Sequence, residues 1–282
     1  MDAGYDARVT PARADIAATA LKGKVGAPRY VDGVSREVID PVAPVRAEPR
    51  PDAPLLTEAL KGERVSVYDS DAEGWAWGQL ASDGYVGYMP ANALAVPARG
   101  PTHKVTVPRT LVFPGPSIKD PPLEALPLGA RICVTRVDGR MAVTATGAYV
   151  PAVHLAALDV FADDFVAVAE YFAGVPYLWG GKTALGLDCS GLVQVALTAC
   201  GLACPRDSDM QERALGETVA VDPATFERGD LVFWKGHVAI VRDREHFIHA
   251  NAWHMAVAVE PIADAVARIQ SAGSAVTSVK RL

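Results

Sequence analysis

Short alternating runs of apolar and polar residues dominate the middle of the chain, and their spacing predicts β-strands. The runs at 64–68, 74–80 and 84–90 are separated by Asp, Ser and Gly residues that favour turns. Strands this short, with polar turns between them, are typical of a small barrel. The pattern therefore predicts an all-β module over residues 55–98.

The same pattern returns more weakly over 102–157 and predicts a second barrel-like module. Three runs alternate in this way: 103–107, 130–135 and 147–151. The proline-rich segment 113–127 between them predicts a long loop. Cys133 stands inside one of the apolar runs, so we expect it to be a small core residue.

Residues 1–54 are rich in Pro and Ala and predict an N-terminal arm. Residues 14–21 have a helix-like pattern. Irregular structure is expected after them because prolines recur at Pro41, Pro44, Pro49, Pro51 and Pro54.

From residue 159 onward, helix and strand periodicities are mixed. Helices are predicted over 163–172, from 189 onward, and over 207–215 and 261–270. Strands are predicted over 230–235, 237–242, 246–250, 255–259 and 275–280. A helix on an antiparallel sheet is an α+β arrangement, as in papain-like hydrolases. We therefore predict an α+β domain over 159–282, preceded by two small all-β barrels.

Composition and charge narrow the class of protein. The chain has 282 residues, half of them hydrophobic, and a net charge of −6. No cluster of Lys and Arg stands out, which argues against a nucleic-acid or anionic-membrane surface. The first residues lack a basic segment followed by an apolar one, and no apolar run approaches membrane-spanning length. We therefore expect a cytoplasmic protein with no nucleic acid and no membrane as partner.

Cys189 is the candidate nucleophile because it stands between a glycine-rich segment and an apolar, helix-like run. Unpaired N–H groups and the positive dipole end at a helix start favour an anion, so we expect a lowered thiol pKa. A buried structural cysteine is the alternative. His237 and His249 each stand in a short β-like run, and a Cys followed by separated histidines is the make-up of a thiol hydrolase.

The other cysteine chemistry is less favoured. Cys200 and Cys204 lack a matching second pair, which argues against a structural zinc site. A disulfide between them is conceivable but disfavoured in a reducing compartment. A Cys/His/His zinc site is a further alternative, disfavoured because no acidic residue stands nearby at ligand spacing. We expect no metal and no other cofactor.

Several motifs resemble the NlpC/P60 family of cell-wall peptidases and follow that family's order. They are the PYLWGG run at 176–181, Asp188-Cys189-Ser190-Gly191, Arg206-Asp207-Ser208, the RGDLVF run at 228–233, and the two histidines. Upstream, Lys61-Gly62-Glu63, a Gly-Trp pair and the DGYVGY run at 83–88 resemble a bacterial SH3 (SH3b) domain.

The resemblance implies a role for each catalytic candidate. Cys189 is the nucleophile, His237 the general base, and His249 the residue that orients it; a chain reversal places the two imidazoles side by side. Tyr177 helps the Cys189 N–H to hold the oxyanion. The alternatives are a packed core histidine for His237, a strand-face histidine without a role for His249, and a tyrosine that only packs beside Trp179. His246 and His254 are expected at the surface or the pocket rim.

The resemblance also implies the substrate. Family members with N-terminal SH3b domains act on γ-D-glutamyl–diamino acid bonds in murein peptides. Recognition of the peptide maps to Asp188 and Ser208, with Ser190 after the nucleophile. Such a peptide presents an amine and a carboxylate, so its pocket needs a carboxylate and hydrogen-bond donors. Arg206 is a candidate donor, and a surface arginine that caps a loop is the alternative.

In those relatives the first SH3b domain closes one end of the cleft and binds the free amine of L-Ala. Glu58 with Tyr85 or Tyr88 are the candidates here, and Glu63 competes with Glu58. Plain turn and core roles on a barrel are the alternative. A closed end implies an exo-acting enzyme that releases L-Ala-γ-D-Glu.

The implied function is a cytoplasmic cysteine peptidase for murein-peptide recycling, with a small L-Ala-γ-D-Glu-diamino acid peptide as its partner. Three rivals remain open. One is a secreted endopeptidase that uses the barrels as wall anchors, one is a non-catalytic binding module, and one is an acyltransferase with the same thiol chemistry.

Overall fold

The computed structural model describes residues 4–282 of the chain. These residues divide into two compact units, the first ending at Leu158 and the second running from Asp159 to Leu282. Each unit contains apolar clusters built from its own residues.

Short strands fill the first unit up to residue 98. The segment predicted to be all-β, 55–98, is so, whereas the strands between residues 16 and 46 lie within the predicted N-terminal arm. The strands are β1 (Ile16–Ala18), β2 (Arg29–Val31), β3 (Val34–Val38), β4 (Val42–Arg46), β5 (Leu55–Leu60), β6 (Arg64–Ser70), β7 (Trp75–Leu80), β8 (Val86–Pro90) and β9 (Leu94–Ala95). Strands β3 to β9 form one antiparallel sheet in the order β5-β4-β8-β7-β6-β3-β9, and β1 pairs in parallel with β2. The sheet encloses a core that includes Val38, Val45, Leu80 and Met89.

The N-terminal arm departs from its prediction. The helix expected over 14–21 is instead β1 followed by a 3-10 helix, Thr19–Leu21. Strand β4 includes Pro44, so the prediction of irregular structure there is wrong. Strand β4 meets β8 at Arg46, at its end, so Pro44 lies outside that second ladder and its missing N–H breaks no hydrogen bond on that side.

Short antiparallel strands also form the segment that follows. They are β10 (His103–Val105), β11 (Arg109–Val112), β12 (Glu124–Pro127), β13 (Arg131–Ile132), β14 (Val134–Asp138), β15 (Met141–Thr144), β16 (Tyr149–Pro151) and β17 (Leu155–Ala157). They pair in the orders β13-β10-β17, β11-β12 and β14-β15-β16 around a core that includes Val105, Leu126 and Val150.

Two predictions for this segment are wrong. The loop expected over 113–127 is shorter, because its end forms β12, which pairs with β11. Cys133 is half-buried rather than a core residue. The chain passes from one sheet to another between β13 and β14, and Cys133 lies at that break rather than inside a strand.

Close contacts join these two β-rich segments within the first unit. The Arg131 N–H donates to the Lys61 carbonyl oxygen at 2.8 Å, and the Lys61 ammonium lies 2.6 Å from the Glu124 carboxylate. Gly62 has a φ of +82° and lies against Arg131: a Cβ at this position would be 2.4 Å from the Arg131 carbonyl oxygen. Both the conformation and the close approach therefore require glycine at position 62.

Helices and an antiparallel sheet make up the second unit. The helices are α1 (Phe165–Glu170), α2 (Cys189–Ala199), α3 (Ser208–Ala214) and α4 (Ile262–Ser271). The strands are β18 (Lys182–Thr183), β19 (Gly186–Leu187), β20 (Glu217–Val219), β21 (Leu231–Trp234), β22 (His237–Val241), β23 (His246–Asn251), β24 (Ala256–Pro261) and β25 (Val276–Arg281). The sheet order is β20-β25-β21-β22-β23-β24, with α2 against β22 and β23 and α4 against β23 and β24.

The periodicities of this unit predict its elements well. The helices and strands expected from the sequence are present with ends shifted by about two residues at most. The helix that begins at Cys189 lies on the antiparallel sheet, which confirms the α+β arrangement. Among residues 4–282, no helix combines the length and the apolar character needed to cross a membrane.

An ion pair with a buried carboxylate holds the terminal strand. Asp230 is 1% exposed, and its carboxylate accepts hydrogen bonds from the Arg281 guanidinium at 2.8 and 2.7 Å. The same carboxylate accepts from the Glu227 N–H at 2.8 Å. The acidic residue of the motif at 228–233 therefore anchors β25 beside β21, away from the thiol chemistry.

The contact at Gly62 predicts a stability difference between two glycine variants. Gly74 also has a positive φ, +92°, but a Cβ there would meet no atom within 4 Å. Gly74→Ala is expected to lower the free energy of unfolding by about 1 kcal/mol through backbone strain alone. Gly62→Ala adds a clash with Arg131 and is expected to cost at least about 2 kcal/mol more. Urea unfolding of both variants measures this difference, and equal losses would contradict the role given to the contact.

Candidate active site

Helix α2 begins at Cys189, and the Asp188 side chain caps its first turn. Asp188 Oδ1 accepts a hydrogen bond from the Gly191 N–H at 2.6 Å, which satisfies one of the unpaired donors at the helix start. Gly191 lies so close to the preceding chain that a Cβ there would be 2.2 Å from the Gly181 carbonyl oxygen. The motif therefore holds the thiol at the first position of the helix.

The Asp188 carboxylate is also half of a buried ion pair. Arg206 Nη2 lies 2.6 Å from Oδ2 and Nη1 lies 2.9 Å from Oδ1, and Arg206 is 1% exposed. The Gly180 N–H donates to Oδ2 at 2.8 Å, and the Ser190 hydroxyl accepts from Arg206 Nη1 at 3.0 Å. The surface alternative for Arg206 is therefore wrong, and three predicted binding residues form one buried network.

The Cys189 thiol is buried beside the strand that begins with the predicted base. The N–H groups of Val238 and Ser190 are directed at its sulfur, and Val238 directly follows His237 on β22. The phenol of Tyr177 lies close enough to interact electrostatically with the thiol. Within residues 4–282, the thiol and the His237 ring are not hydrogen-bonded to each other. Contacts of this kind often tighten only when substrate binds.

The two predicted histidines are brought together, as expected. His237 Nε2 and His249 Nδ1 are 2.8 Å apart. Strands β22 and β23 are antiparallel with Ile240 opposite Ile248, and this register makes positions 237 and 249 diagonal neighbours on one face of the sheet. His249 is buried, with 1% of its surface exposed. His237 and His249 therefore begin a series of hydrogen-bonded polar side chains, the polar line, which crosses the sheet from the start of β22.

Sequence reasoning missed the two residues that continue this line. Glu260 Oε1 lies 2.6 Å from His249 Nε2, and Arg268 Nη2 lies 2.5 Å from the same oxygen. The carboxylate is buried, and Arg268 reaches it from α4. The pairing of His249 with Ala258 places Glu260 two residues farther along β24, on the same face. The alternating pattern of β24 contained this signal, but only the hairpin register reveals it.

The electrostatics of the site favour a neutral thiol and a neutral imidazole in the free chain. Burial, and then the Asp188 carboxylate, raises the pKa of Cys189 to about 12. Burial, and then the neighbouring His249, lowers the pKa of His237 to about 3. The expectation of a lowered thiol pKa is wrong because removal from water outweighs the helix dipole. Burial and the nearby thiol raise the pKa of Tyr177, so its hydroxyl stays a hydrogen-bond donor.

The second unit holds three further polar candidates from the sequence. Ser208 is buried and begins α3. His246 Nδ1 lies 2.9 Å from Asp243, and His254 Nδ1 lies 3.0 Å from the Asn251 side-chain oxygen. These two histidines are outside the hydrogen-bonded line, as predicted.

The predicted amine-binding residues belong to the first unit. Glu58 is buried on β5, and Tyr85 is 3% exposed within the apolar core, which matches the alternative of a plain core role for Tyr85. The Tyr88 hydroxyl lies 3.2 Å from Arg13 Nη1. Glu63 accepts a backbone hydrogen bond inside its own turn. Amine binding by Glu58 or Tyr88 stays a prediction.

Cys200 and Cys204 are not joined by a disulfide. In the part of the chain that the structure describes, no group of three or more His, Cys, Asp or Glu side chains is arranged to hold a metal ion. A thiol beside an imidazole that is held by further polar groups can act as a nucleophile with a base and its supports.

The buried network predicts that Arg206 cannot be replaced by lysine without loss. A lysine keeps the charge but loses the two-pronged contact with Asp188. We expect Arg206→Lys to lower the free energy of unfolding by at least about 2 kcal/mol. Arg213 lies on helix α3, seven residues after Arg206 in the chain, and serves as the control. It makes an exposed ion pair with Asp209 at 2.9 Å. Arg213→Lys is expected to change stability by less than about 0.5 kcal/mol, and similar losses in both variants would refute the assignment.

The raised thiol pKa predicts how alkylation of Cys189 depends on pH. A thiol that titrates far above neutral gains thiolate about tenfold for each pH unit, so its rate with iodoacetamide should rise throughout pH 6–9. Mass spectrometry that resolves each cysteine measures this rate, with Cys133 as the internal reference. A rate that is flat between pH 5 and 8 would mean that a thiolate–imidazolium pair exists in the free chain.

Comparison with known proteins finds a family match in each of the two units. Residues 174–270 match the NlpC/P60 family, and residues 45–94 match the bacterial dipeptidyl-peptidase SH3 domain. A gamma-D-glutamyl-L-lysine dipeptidyl-peptidase of Bacillus cereus is 29% identical over 248 residues, which are 74% of this chain and 71% of that protein. Dipeptidyl-peptidase 6 of Lysinibacillus sphaericus is 35% identical over 91 residues, which are 32% of this chain and 33% of that protein.

A solved structure shows the same fold. The crystal structure of an NlpC/P60 family protein from Bacillus cereus superposes with a TM-score of 0.73 at 22% identity, covering 88% of this chain and 99% of that one. The likeness supports a papain-like fold preceded by an all-β, SH3-like region. The chain therefore carries an NlpC/P60 domain preceded by a bacterial SH3 domain, which confirms the resemblance of its motifs.

Proposed function

We propose that this chain is a cysteine peptidase that hydrolyses the γ-D-glutamyl–diamino acid bond of murein peptides. The observation that carries the proposal is the placement of the Cys189 thiol at the start of α2, beside strand β22. The first residue of β22 is His237, and its ring is hydrogen-bonded to the ring of His249. A nucleophile, a base and a residue that orients the base are the parts that acyl transfer through a thiol requires.

The first half of the reaction breaks the amide bond. The Cys189 sulfur attacks the γ-carbonyl carbon while His237 takes the thiol proton. The Cys189 N–H at the helix start and the protonated Tyr177 hydroxyl are the donors for the developing oxyanion. His237 then gives its proton to the departing amine as the carbon–nitrogen bond breaks, and a thioester remains on Cys189.

The second half restores the enzyme. His237, neutral again, takes a proton from water, whose oxygen attacks the thioester carbon. The carbon–sulfur bond breaks, the thiol regains a proton, and the acyl part leaves as a carboxylic acid. The N–H groups of Val238 and Ser190 directed at the sulfur stabilise the thiolate each time it forms. No cofactor enters this sequence.

The substrate class is supported by the relatives. The Bacillus cereus relative is named for a γ-D-glutamyl-L-lysine bond and for release of a dipeptide. We therefore propose a small peptide, L-Ala-γ-D-Glu-diamino acid, as substrate, L-Ala-γ-D-Glu as product, and recycling of wall fragments in the cytoplasm as the role.

The N-terminal modules extend the proposal. We propose that residues 102–157 are a second SH3b-like barrel after the bacterial SH3 domain. Its short antiparallel strands and its own apolar core around Leu126 support this interpretation. A chain with two such barrels fits the SH3b-bearing type of NlpC/P60 enzyme.

Mass spectrometry of the reaction products tests the proposed function. The purified chain is incubated with L-Ala-γ-D-Glu-meso-diaminopimelate, with the L-lysine peptide, and with N-acetylated forms of both. We expect release of L-Ala-γ-D-Glu from the free-amine peptides alone. Cys189→Ala is expected to abolish cleavage, whereas Cys133→Ala, a free cysteine of the first unit, should leave it unchanged.

Other outcomes point to the rivals. Cleavage of both free and acetylated peptides would contradict the dipeptide-releasing role and favour a wall endopeptidase. Turnover that requires an added amine acceptor would favour an acyltransferase. Cleavage of no peptide would favour a binding module.

A further inference from the structure

Glu260 stands at the inner end of the polar line and is held from several sides. Its carboxylate is 8% exposed and lies 2.6 Å from His249 Nε2 and 2.5 Å from Arg268 Nη2, and His254 Nδ1 is 4.0 Å away. Arg268 is held in turn under the Trp253 ring, with its guanidinium carbon 5.4 Å from the ring centre. A carboxylate buried this deeply needs such partners.

The carboxylate is ionised and the histidines are neutral at neutral pH. Burial raises the pKa of Glu260, but the hydrogen bond from His249 and the charge of Arg268 lower it overall. Burial lowers the pKa of both His249 and His237. Each imidazole therefore has a single N–H, and its position can be deduced from its partner.

The hydrogen-bond directions follow one from another along the line. An ionised carboxylate only accepts, so His249 Nε2 must donate to Glu260. His249 Nδ1 is then unprotonated and accepts, so His237 Nε2 must donate to it across 2.8 Å. The remaining nitrogen of His237, Nδ1, is left unprotonated.

We propose that Glu260 is a positioning residue that fixes the tautomers of His249 and His237, so that His237 Nδ1 is the atom that accepts the Cys189 proton. Glu260 does not touch the substrate and acts through the two rings. Its negative charge also stabilises the imidazolium that forms on His237 during the reaction. The kinetic consequence rests on the proposed peptidase function, but the tautomers do not.

Nuclear magnetic resonance of the full chain, labelled at histidine with ¹⁵N and ¹³C, tests the tautomers without substrate. In the unsubstituted chain we expect both His237 and His249 to have their N–H at Nε2. Glu260→Gln offers His249 an amide that can donate as well as accept, so we expect the Nδ1–H form of both rings to become populated. Arg268→Gln keeps the carboxylate and should leave both tautomers as they are.

Kinetics measure the same role independently. We expect Glu260→Gln to lower kcat at least tenfold with KM changed less than about twofold, because the rings are misplaced and the substrate contacts remain. The loss of negative charge should move the acid limb of kcat/KM to lower pH, since His249, His254 and Arg268 also face this position. Glu260→Asp keeps the charge at a longer distance and should recover part of kcat. Glu217→Gln, an exposed residue of β20, is the control.

The outcomes separate failure of this inference from failure of the proposed function. Unchanged tautomers in Glu260→Gln, or tautomers other than Nε2–H in the unsubstituted chain, would overturn the inference whatever the activity. A loss of kcat with an unmoved pH profile and a parallel loss of stability would also overturn it. If no peptide is cleaved by any variant, the proposed function fails, and the tautomers alone decide the role of Glu260.

Discussion

The Asp188 carboxylate, withdrawn from solvent, accepts hydrogen bonds from the Gly180 and Gly191 N–H groups and from both arms of Arg206. This one group caps helix α2, ties the preceding glycine-rich chain to it, and pairs with the buried Arg206 guanidinium. Removal of either partner leaves an uncompensated buried charge, which typically costs about 3–5 kcal/mol. Asp188 directly precedes Cys189 in the chain. The ion pair that holds the Asp188 carboxylate therefore also fixes the position of the Cys189 thiol.

The same arrangement also sets the protonation state of the Cys189 thiol in the free chain. A helix start alone favours a thiolate, yet here the sulfur is buried and has a carboxylate next to it, so the neutral thiol is the resting form. The proposed base, His237, is also uncharged in the free chain. Burial lowers the pKa of its ring, which leaves the ring neutral and able to accept a proton. In the proposed mechanism, charge separation is therefore confined to the reacting complex. The N–H groups directed at the sulfur would then stabilise the thiolate when it forms.

The sequence predicts the second unit more completely than the first. Its helices and strands have clear apolar periods, and the two histidines of the family motifs are hydrogen-bonded to each other, as a chain reversal between their strands predicts. The sequence did not identify Glu260 as a site residue, because its place depends on the register of a hairpin. That register puts Glu260 on β24 diagonally opposite His249 on the neighbouring strand β23. The lowered pKa expected for the thiol failed for a similar reason, because burial is a property of the packed fold and local sequence does not specify it.

In the first unit, prolines misled the prediction. Pro44 is tolerated in β4 because it lies outside the ladder with β8, a fact about which strand is its neighbour rather than about the residue. Arg206 shows the converse, since an arginine read as a surface or substrate residue is an interior partner of the helix cap. In both cases the neighbours of the residue in the packed fold decide its role, and the local sequence does not specify them.

The most direct test of the account is to identify the covalent intermediate. Rapid acid quench of the chain during turnover of L-Ala-γ-D-Glu-diaminopimelate, followed by mass spectrometry of the intact protein and of its peptides, detects an acyl group on a cysteine. The account predicts an L-Ala-γ-D-Glu thioester on Cys189 that forms and decays with turnover. Turnover without any acyl adduct, or an adduct on Cys133, Cys200 or Cys204 instead, would contradict it.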